Sequence, residues 1–189
     1  MLELFSDFIA KSHPVTLGVL LVLSLYFIVI NWIFFYRWFS LGQWIGVESE
    51  SLESLLMGAS RINTNSFLAP FVKNNNPTSK ALFDLAHYAS TKEATKGLTT
   101  LSVVASTTPF IGLFGTVVSI LDTFKHIGGS SGTMSIIATG VSDALVATAS
   151  GIFVAIFAYT YHQILKRQSF ELVGLIRMQS DSLLSKSEV

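Results

Sequence analysis

One acidic side chain, Asp143, lies within a stretch of 40 residues, from His126 to Leu165, that holds no other charged side chain. If a helix begins near Met134, Asp143 lies about 13 Å along it, close to the middle of a bilayer core of about 30 Å. An ionised carboxylate at that depth costs at least about 2.5–3.5 kcal/mol, so an acid there marks a functional site by default. Because removal from water favours the protonated carboxyl group, Asp143 is a candidate proton carrier. A structural carboxyl group satisfied by its neighbours is the alternative.

Small and hydroxyl-bearing residues recur every four positions near this acid and in the preceding apolar stretch. Thr108, Gly112 and Thr116, for example, share one helix face. Small residues let two helix backbones approach closely, so these faces are predicted to meet other helices. Tight packing with no further role is the alternative. Pro109 removes one backbone hydrogen bond and predicts a kink. The residues predicted to pack helices or line a pore are Thr108, Pro109, Gly112, Gly115, Gly140, Ala144, Ala147 and Gly151.

The composition of the chain excludes several classes of function. Half of its 189 residues are apolar and only 13% are charged, against about 25% in an ordinary soluble domain. Its net charge is zero, which argues against a nucleic-acid binder. The chain has no cysteine, which excludes a disulfide scaffold and thiol chemistry. We find no catalytic cluster, phosphate loop or paired metal-ligand spacing, and expect no enzymatic activity, no cofactor and no metal site.

The charge pattern predicts an all-α integral membrane protein. Ser12–Tyr36 and Gly97–Leu121 each contain 25 residues without a charged side chain, and the stretch around Asp143 is longer. A spanning helix needs about 20 predominantly apolar residues. We therefore predict three transmembrane helices, at residues 15–39, 98–123 and 134–163.

Lysine and arginine set the predicted orientation. With the N-terminus outside, ten of the twelve basic residues lie on the cytoplasmic side, as the positive-inside rule requires. The N-terminus is then periplasmic and the C-terminus cytoplasmic. The remaining segments are predicted as an outer-face amphipathic helix over residues 1–14, a cytoplasmic helical segment over 40–97, a periplasmic hairpin over 124–133 and a cytoplasmic tail over 164–189.

Two local features carry further expectations. Asn76 and Pro77 suit the start of a helix, and no proline follows before Ser102, so we expect one helix to run on into the second span. Spans two and three would then both extend into the cytoplasm. Asn31 lies within the first span, where it either bridges to a neighbouring helix or lies near the membrane interface.

Three spans cannot bury so much small-residue surface among themselves, which predicts a homo-oligomer.

Two motifs resemble those of the ExbB/TolQ/MotA proton-channel family. Thr108-Pro-Phe-Ile-Gly-Leu-Phe-Gly-Thr-Val117 is similar to the family's second span, and Gly140-Val-Ser-Asp-Ala-Leu-Val-Ala-Thr-Ala149 is similar to its third. The chain departs from the pattern in two places. Asp143 stands where the family usually has glutamate, and Thr139 stands where the family usually has proline before the glycine.

The resemblance, closest to the ExbB/TolQ branch, implies a role and a set of partners. Members form a ring, taken to be pentameric, in the bacterial inner membrane around the single spans of ExbD/TolR-type partners. The partner brings an essential aspartate, and ring threonines line it; here these are Thr116 and Thr148. With Asp143 they form the predicted proton pathway. Such a motor couples the proton motive force to work at the outer membrane or envelope, through a TonB-type protein (uptake) or a TolA-type protein (integrity).

Other interpretations remain open at this point. A non-conducting scaffold that stabilises a partner's single span is the main alternative, and a self-contained transporter has little support. The sequence does not decide between the ExbB and TolQ roles, or between proton and sodium.

Overall fold

The computed structural model describes residues 14–59, 62–74, 80–127 and 133–187, and within these ranges every regular element is an α-helix. The five helices are α1 (Pro14–Leu56), α2 (Ala69–Asn74), α3 (Lys80–Ala94), α4 (Leu98–Ile127) and α5 (Thr133–Ser187). Three of them, α1, α4 and α5, are long and apolar enough to cross a membrane. The predicted all-α class and the three candidate spans are therefore confirmed.

The described helices divide into two compact units. One comprises residues 14–32 and 100–161 and the other residues 33–99 and 162–187, so α1 and α5 contribute to both. We call them the span unit and the extension unit.

In the span unit, α5 runs antiparallel to α4 and parallel to α1. Phe27 of α1 packs against Phe153 and Phe157 of α5, with ring centroids 5.8 and 5.5 Å apart. Further along both helices, the Tyr161 hydroxyl donates a hydrogen bond of 2.9 Å to Asn31 Oδ1. Asn31 therefore bridges two helices, which resolves the alternative left open by its position in the sequence.

In the extension unit, α3 is fixed at its C-terminus by side chains from α1 and α5. The buried Arg37 guanidinium donates to the carbonyl oxygens of Glu93 (2.8 Å) and Ala94 (2.6 Å). Ser169 Oγ donates to the same Ala94 oxygen at 2.7 Å. These donors satisfy carbonyls that have no partner within their own helix, and a cation suits the negative end of the helix dipole.

The expected continuous helix into the second span is wrong. α3 ends at Ala94, and α4 begins separately at Leu98. Between them Gly97 has a φ of +86°, a left-handed conformation that ends helices and that glycine adopts without strain. The absence of proline did not imply helix continuity. The spans that continue as long helices are therefore the first and the third, not the second and the third.

Several expectations fall on residues outside the described ranges. These are the amphipathic helix over residues 1–14, except for Pro14, the helix start at Asn76 and Pro77, and residues 128–132 of the hairpin. Because helix bounds do not fix the limits of a bilayer, the span limits and the orientation stay predictions.

Candidate functional site

Two glycines let α4 and α5 touch through their backbones. A Cβ atom placed on Gly151 would lie 2.6 Å from the Thr108 carbonyl oxygen, and one on Gly112 would lie 2.8 Å from the Ala147 carbonyl oxygen. Both distances are shorter than real Cβ contacts, and the obstructing atoms belong to the backbone, so neither position has room for a side chain. At Gly112 and Gly151, small residues thus lie where the two helix backbones approach closely.

Two more of the predicted glycines are enclosed in the span unit. A Cβ atom on Gly115 would lie 3.0 Å from Ala147 Cβ and 3.2 Å from Val19 Cγ1, so α1 also approaches this region. A Cβ atom on Gly140 would overlap the Thr123 side chain. Ala144 and Ala147 are both fully buried.

Thr116 and Thr148 meet beside the crossing, with their two hydroxyl oxygens in direct contact. Thr116 Oγ1 also lies 2.9 Å from the Ala144 carbonyl oxygen and 3.3 Å from that of Gly112. Thr148 Oγ1 lies 3.4 Å from the same Gly112 oxygen. Both side chains are half-buried, and we call them the threonine pair.

The chemistry of the threonine pair follows from its hydroxyls. Each has one hydrogen to donate and two lone pairs to accept with. Because each hydrogen goes either to the other hydroxyl or to a carbonyl, the pair keeps lone pairs available and can redirect its donors. It can therefore hydrogen-bond a guest carboxyl group in either the protonated or the ionised state.

The third predicted member of the pathway, Asp143, lies on a different face of α5. Residues along a helix advance by about 100° each, so Asp143 and Thr148 point about 140° apart. Asp143 lies instead in line with Ser150 and Phe157, seven and fourteen residues on, and Phe157 packs against α1. The Asp143 side chain is 7% exposed. The structure therefore brings Thr116 and Thr148 together and places Asp143 towards the first span.

Thr108 and Pro109 lie on α4, and the Thr108 carbonyl oxygen is part of the crossing. Thr108 is fully buried, and its hydroxyl donates to the Val104 carbonyl oxygen at 2.9 Å. Helix α4 continues without a break through Pro109. Thr108 therefore packs within the span unit, and the predicted pore-lining role of both residues stays a prediction.

Sequence reasoning missed a buried polar cluster in the extension unit. Glu48 is 0% exposed and accepts hydrogen bonds from Ser66 Oγ (2.8 Å), the Phe67 amide (2.7 Å), Gln179 Nε2 (2.8 Å) and Trp44 Nε1 (3.2 Å). In the sequence Glu48 looks like a solvated acid, because further glutamates follow it closely. The four-residue spacing of Trp44 and Glu48 was the available signal.

Within the described ranges no group of three or more His, Cys, Asp or Glu side chains is placed to hold a metal ion. The polar groups at the threonine pair are hydroxyls and backbone carbonyls, which suit hydrogen bonding to water or to a carboxyl group.

Comparison with known proteins gives one family. The MotA/TolQ/ExbB proton channel family matches residues 59–178. A Helicobacter pylori protein named biopolymer transport protein ExbB-like 1 is 39% identical over 190 residues, covering 98% of this chain and 100% of that protein. Biopolymer transport protein ExbB of Neisseria gonorrhoeae is 49% identical over 73 residues, covering 38% of this chain and 33% of that protein. Tol-Pal system protein TolQ of Pseudomonas aeruginosa is 39% identical over 75 residues, covering 39% and 32%.

Proposed function

The chain belongs to the MotA/TolQ/ExbB proton channel family, on its ExbB/TolQ branch, and we propose that it is the channel subunit of an inner-membrane motor. In this proposal it couples the proton motive force to work at the outer membrane or envelope. Family membership, the apolar composition and the three candidate spans support this proposal.

The observation that carries the proposal is the threonine pair. Its two hydroxyls belong to different spans, lie at a glycine-lined crossing and remain half-buried, so a guest group can reach them. A proton that moves down the membrane field supplies about 2.3 kcal/mol per 100 mV. A carboxyl group that the pair solvates could bind and release that proton without leaving the low-dielectric region, because hydroxyls suit both of its states.

The position of Asp143 supports a partner that brings its own acid. By helix geometry Asp143 faces α1, about 140° from Thr148, so in the proposal the acid at the threonine pair comes from elsewhere. In the proposal, an ExbD/TolR-type single-span protein supplies an aspartate to the pair. Several copies of this chain, as a pentameric ring, surround that span, and a TonB- or TolA-type protein receives the work. The excess of basic residues on one side supports a periplasmic N-terminus and a cytoplasmic C-terminus.

Native mass spectrometry of the chain, purified from its own membranes in mild detergent, tests the proposed assembly. We expect a ring of identical copies together with a smaller protein in fewer copies, whose sequence has one span and one intramembrane aspartate. A homo-oligomer that lacks such a partner in several detergents would favour a non-conducting scaffold instead. A monomer would contradict the ring.

A further inference from the structure

Thr16 carries a buried hydroxyl group without a partner. The residue is 0% exposed, and its Oγ1 forms no hydrogen bond within the described part of the chain. The hydroxyls of Thr108 and Thr123, in the same unit, each donate to the carbonyl oxygen one turn earlier, at 2.9 and 2.8 Å. Thr16 lies in the first described turn of α1, and the residue four positions before it lies outside the described ranges. An unpaired buried hydroxyl costs about 1–3 kcal/mol, so a partner is expected.

The register of α1 against α5 places Thr16 level with Asp143. Asn31 bonds Tyr161, and Phe27 packs on Phe157, so contacting residues differ in number by about 130. Closer to the start of both helices, the Cβ position of Gly115 touches Val19 and Ala147 together, which preserves this register. One further turn brings Thr16 opposite the turn of α5 that begins at Asp143.

The two side chains also lie on the faces that meet. On α1, Thr16, Leu23 and Ile30 follow one another at seven-residue spacing and are all buried. On α5, Asp143 is aligned with Phe157, which packs against α1. By register and helix face, Thr16 and Asp143 therefore lie on facing sides of the two helices and at about the same level along them.

A third polar group reaches this level from α4. Ser119 is buried, and its hydroxyl donates to the Gly140 carbonyl oxygen at 3.2 Å. Its lone pairs stay available as acceptors. A buried water molecule needs two to four polar partners, and a hydroxyl without a direct protein partner is the group that such a water satisfies.

We propose that Thr16 and Asp143 bind a water molecule between the first and third spans, with Ser119 as its third neighbour. Thr16 is then a positioning residue: it holds the water that hydrogen-bonds the Asp143 carboxyl group. The inference does not depend on the proposed motor function, because the water can be detected in the isolated chain in lipid.

Infrared difference spectroscopy of the full chain in lipid, in ordinary and ¹⁸O-labelled water, tests the site. The native chain is expected to show an isotope-sensitive stretching band of a buried water. Thr16→Val removes the hydroxyl at nearly constant volume and should abolish the water band. It should also shift the carboxyl band of Asp143. That carboxyl band is identified as the one that disappears in Asp143→Asn. Thr16→Ser keeps the hydroxyl and should keep both bands.

The control is Thr160→Val, which removes an exposed hydroxyl of the same unit that is bonded to the Ile156 carbonyl oxygen. It should leave both bands unchanged. The proposal is overturned if the native chain has no isotope-sensitive band, or if Thr16→Val keeps it. Loss of the water band in a Thr16→Ser chain whose amide spectrum is native would also overturn the proposal. The proposal can therefore be tested even if Thr16→Val fails to fold.

Discussion

At the scale of single residues, the helical glycines of this chain differ in the room that they have for a side chain. A side chain on Gly112 or Gly151 would collide with backbone atoms of the facing helix, whereas a Cβ atom on Gly174 meets nothing within 4 Å. The four-residue spacing of small residues predicted the first two as packing positions. It could not predict that Asp143 and Thr148 serve different neighbours, because that depends on where α1 packs against α5.

Replacing Gly151 by alanine tests the crossing. The new methyl group would lie 2.6 Å from the Thr108 carbonyl oxygen, and overpacking of this kind costs about 1–3 kcal/mol. Gly151→Ala should therefore lower the thermal unfolding midpoint of the detergent-solubilised chain. Gly174→Ala, in the same helix and in open space, should leave it unchanged or raise it, because alanine favours helix. Equal midpoints for the two variants would contradict the close approach of the backbones.

At the scale of elements, the gaps between charged residues predicted the three spanning helices, because a bilayer excludes charge over a fixed thickness. The same gaps carried no information about where a helix ends outside the bilayer. The turn at Gly97 depends on a left-handed backbone and on Arg37 and Ser169 meeting the end of α3. Those contacts join residues that are distant in sequence, so local spacing did not reveal them.

The buried carboxyl group of Glu48 connects the segment before α2 to α1 and α5. Replacing it by the neutral amide of glutamine should loosen that segment. In Glu48→Gln an amide nitrogen replaces one acceptor oxygen and faces donors such as the Phe67 amide or Gln179 Nε2. A buried donor left without an acceptor costs at least about 1 kcal/mol, which increases the open population about fivefold.

Limited proteolysis between residues 57 and 68 measures this opening. Glu48→Gln should be cleaved about five times faster than the native chain if opening is rapid relative to cleavage. Glu50→Gln makes the same chemical change at an exposed position and should have no effect. Equal cleavage rates in the two variants would show that Glu48 does not hold the segment.

At the scale of the whole molecule, the sequence was sufficient to predict the class of protein. Apolar composition, zero net charge and two span motifs were enough to indicate an ExbB/TolQ-type membrane protein, and the relatives agree. The pentameric ring and the partner were predicted from the family resemblance, and they stay predictions because they depend on faces that one chain leaves uncovered. Phe110, Leu113 and Phe114 of α4, for example, are exposed, and lipid or neighbouring subunits would suit them equally well.

Proton flux is the most direct test of the claim that the threonine pair serves a proton path. The complex, purified with its partner, is placed in liposomes that hold a pH-sensitive dye, and a potassium diffusion potential drives the flux. We predict measurable proton uptake by the native complex. In Thr148→Val the proton flux should fall at least about tenfold, the factor that corresponds to a loss of about 1.4 kcal/mol of stabilisation. Thr148→Ser and the exposed control Thr160→Val should conduct like the native complex. A native complex that does not conduct, or a Thr148→Val complex that conducts at the native rate, would contradict the account.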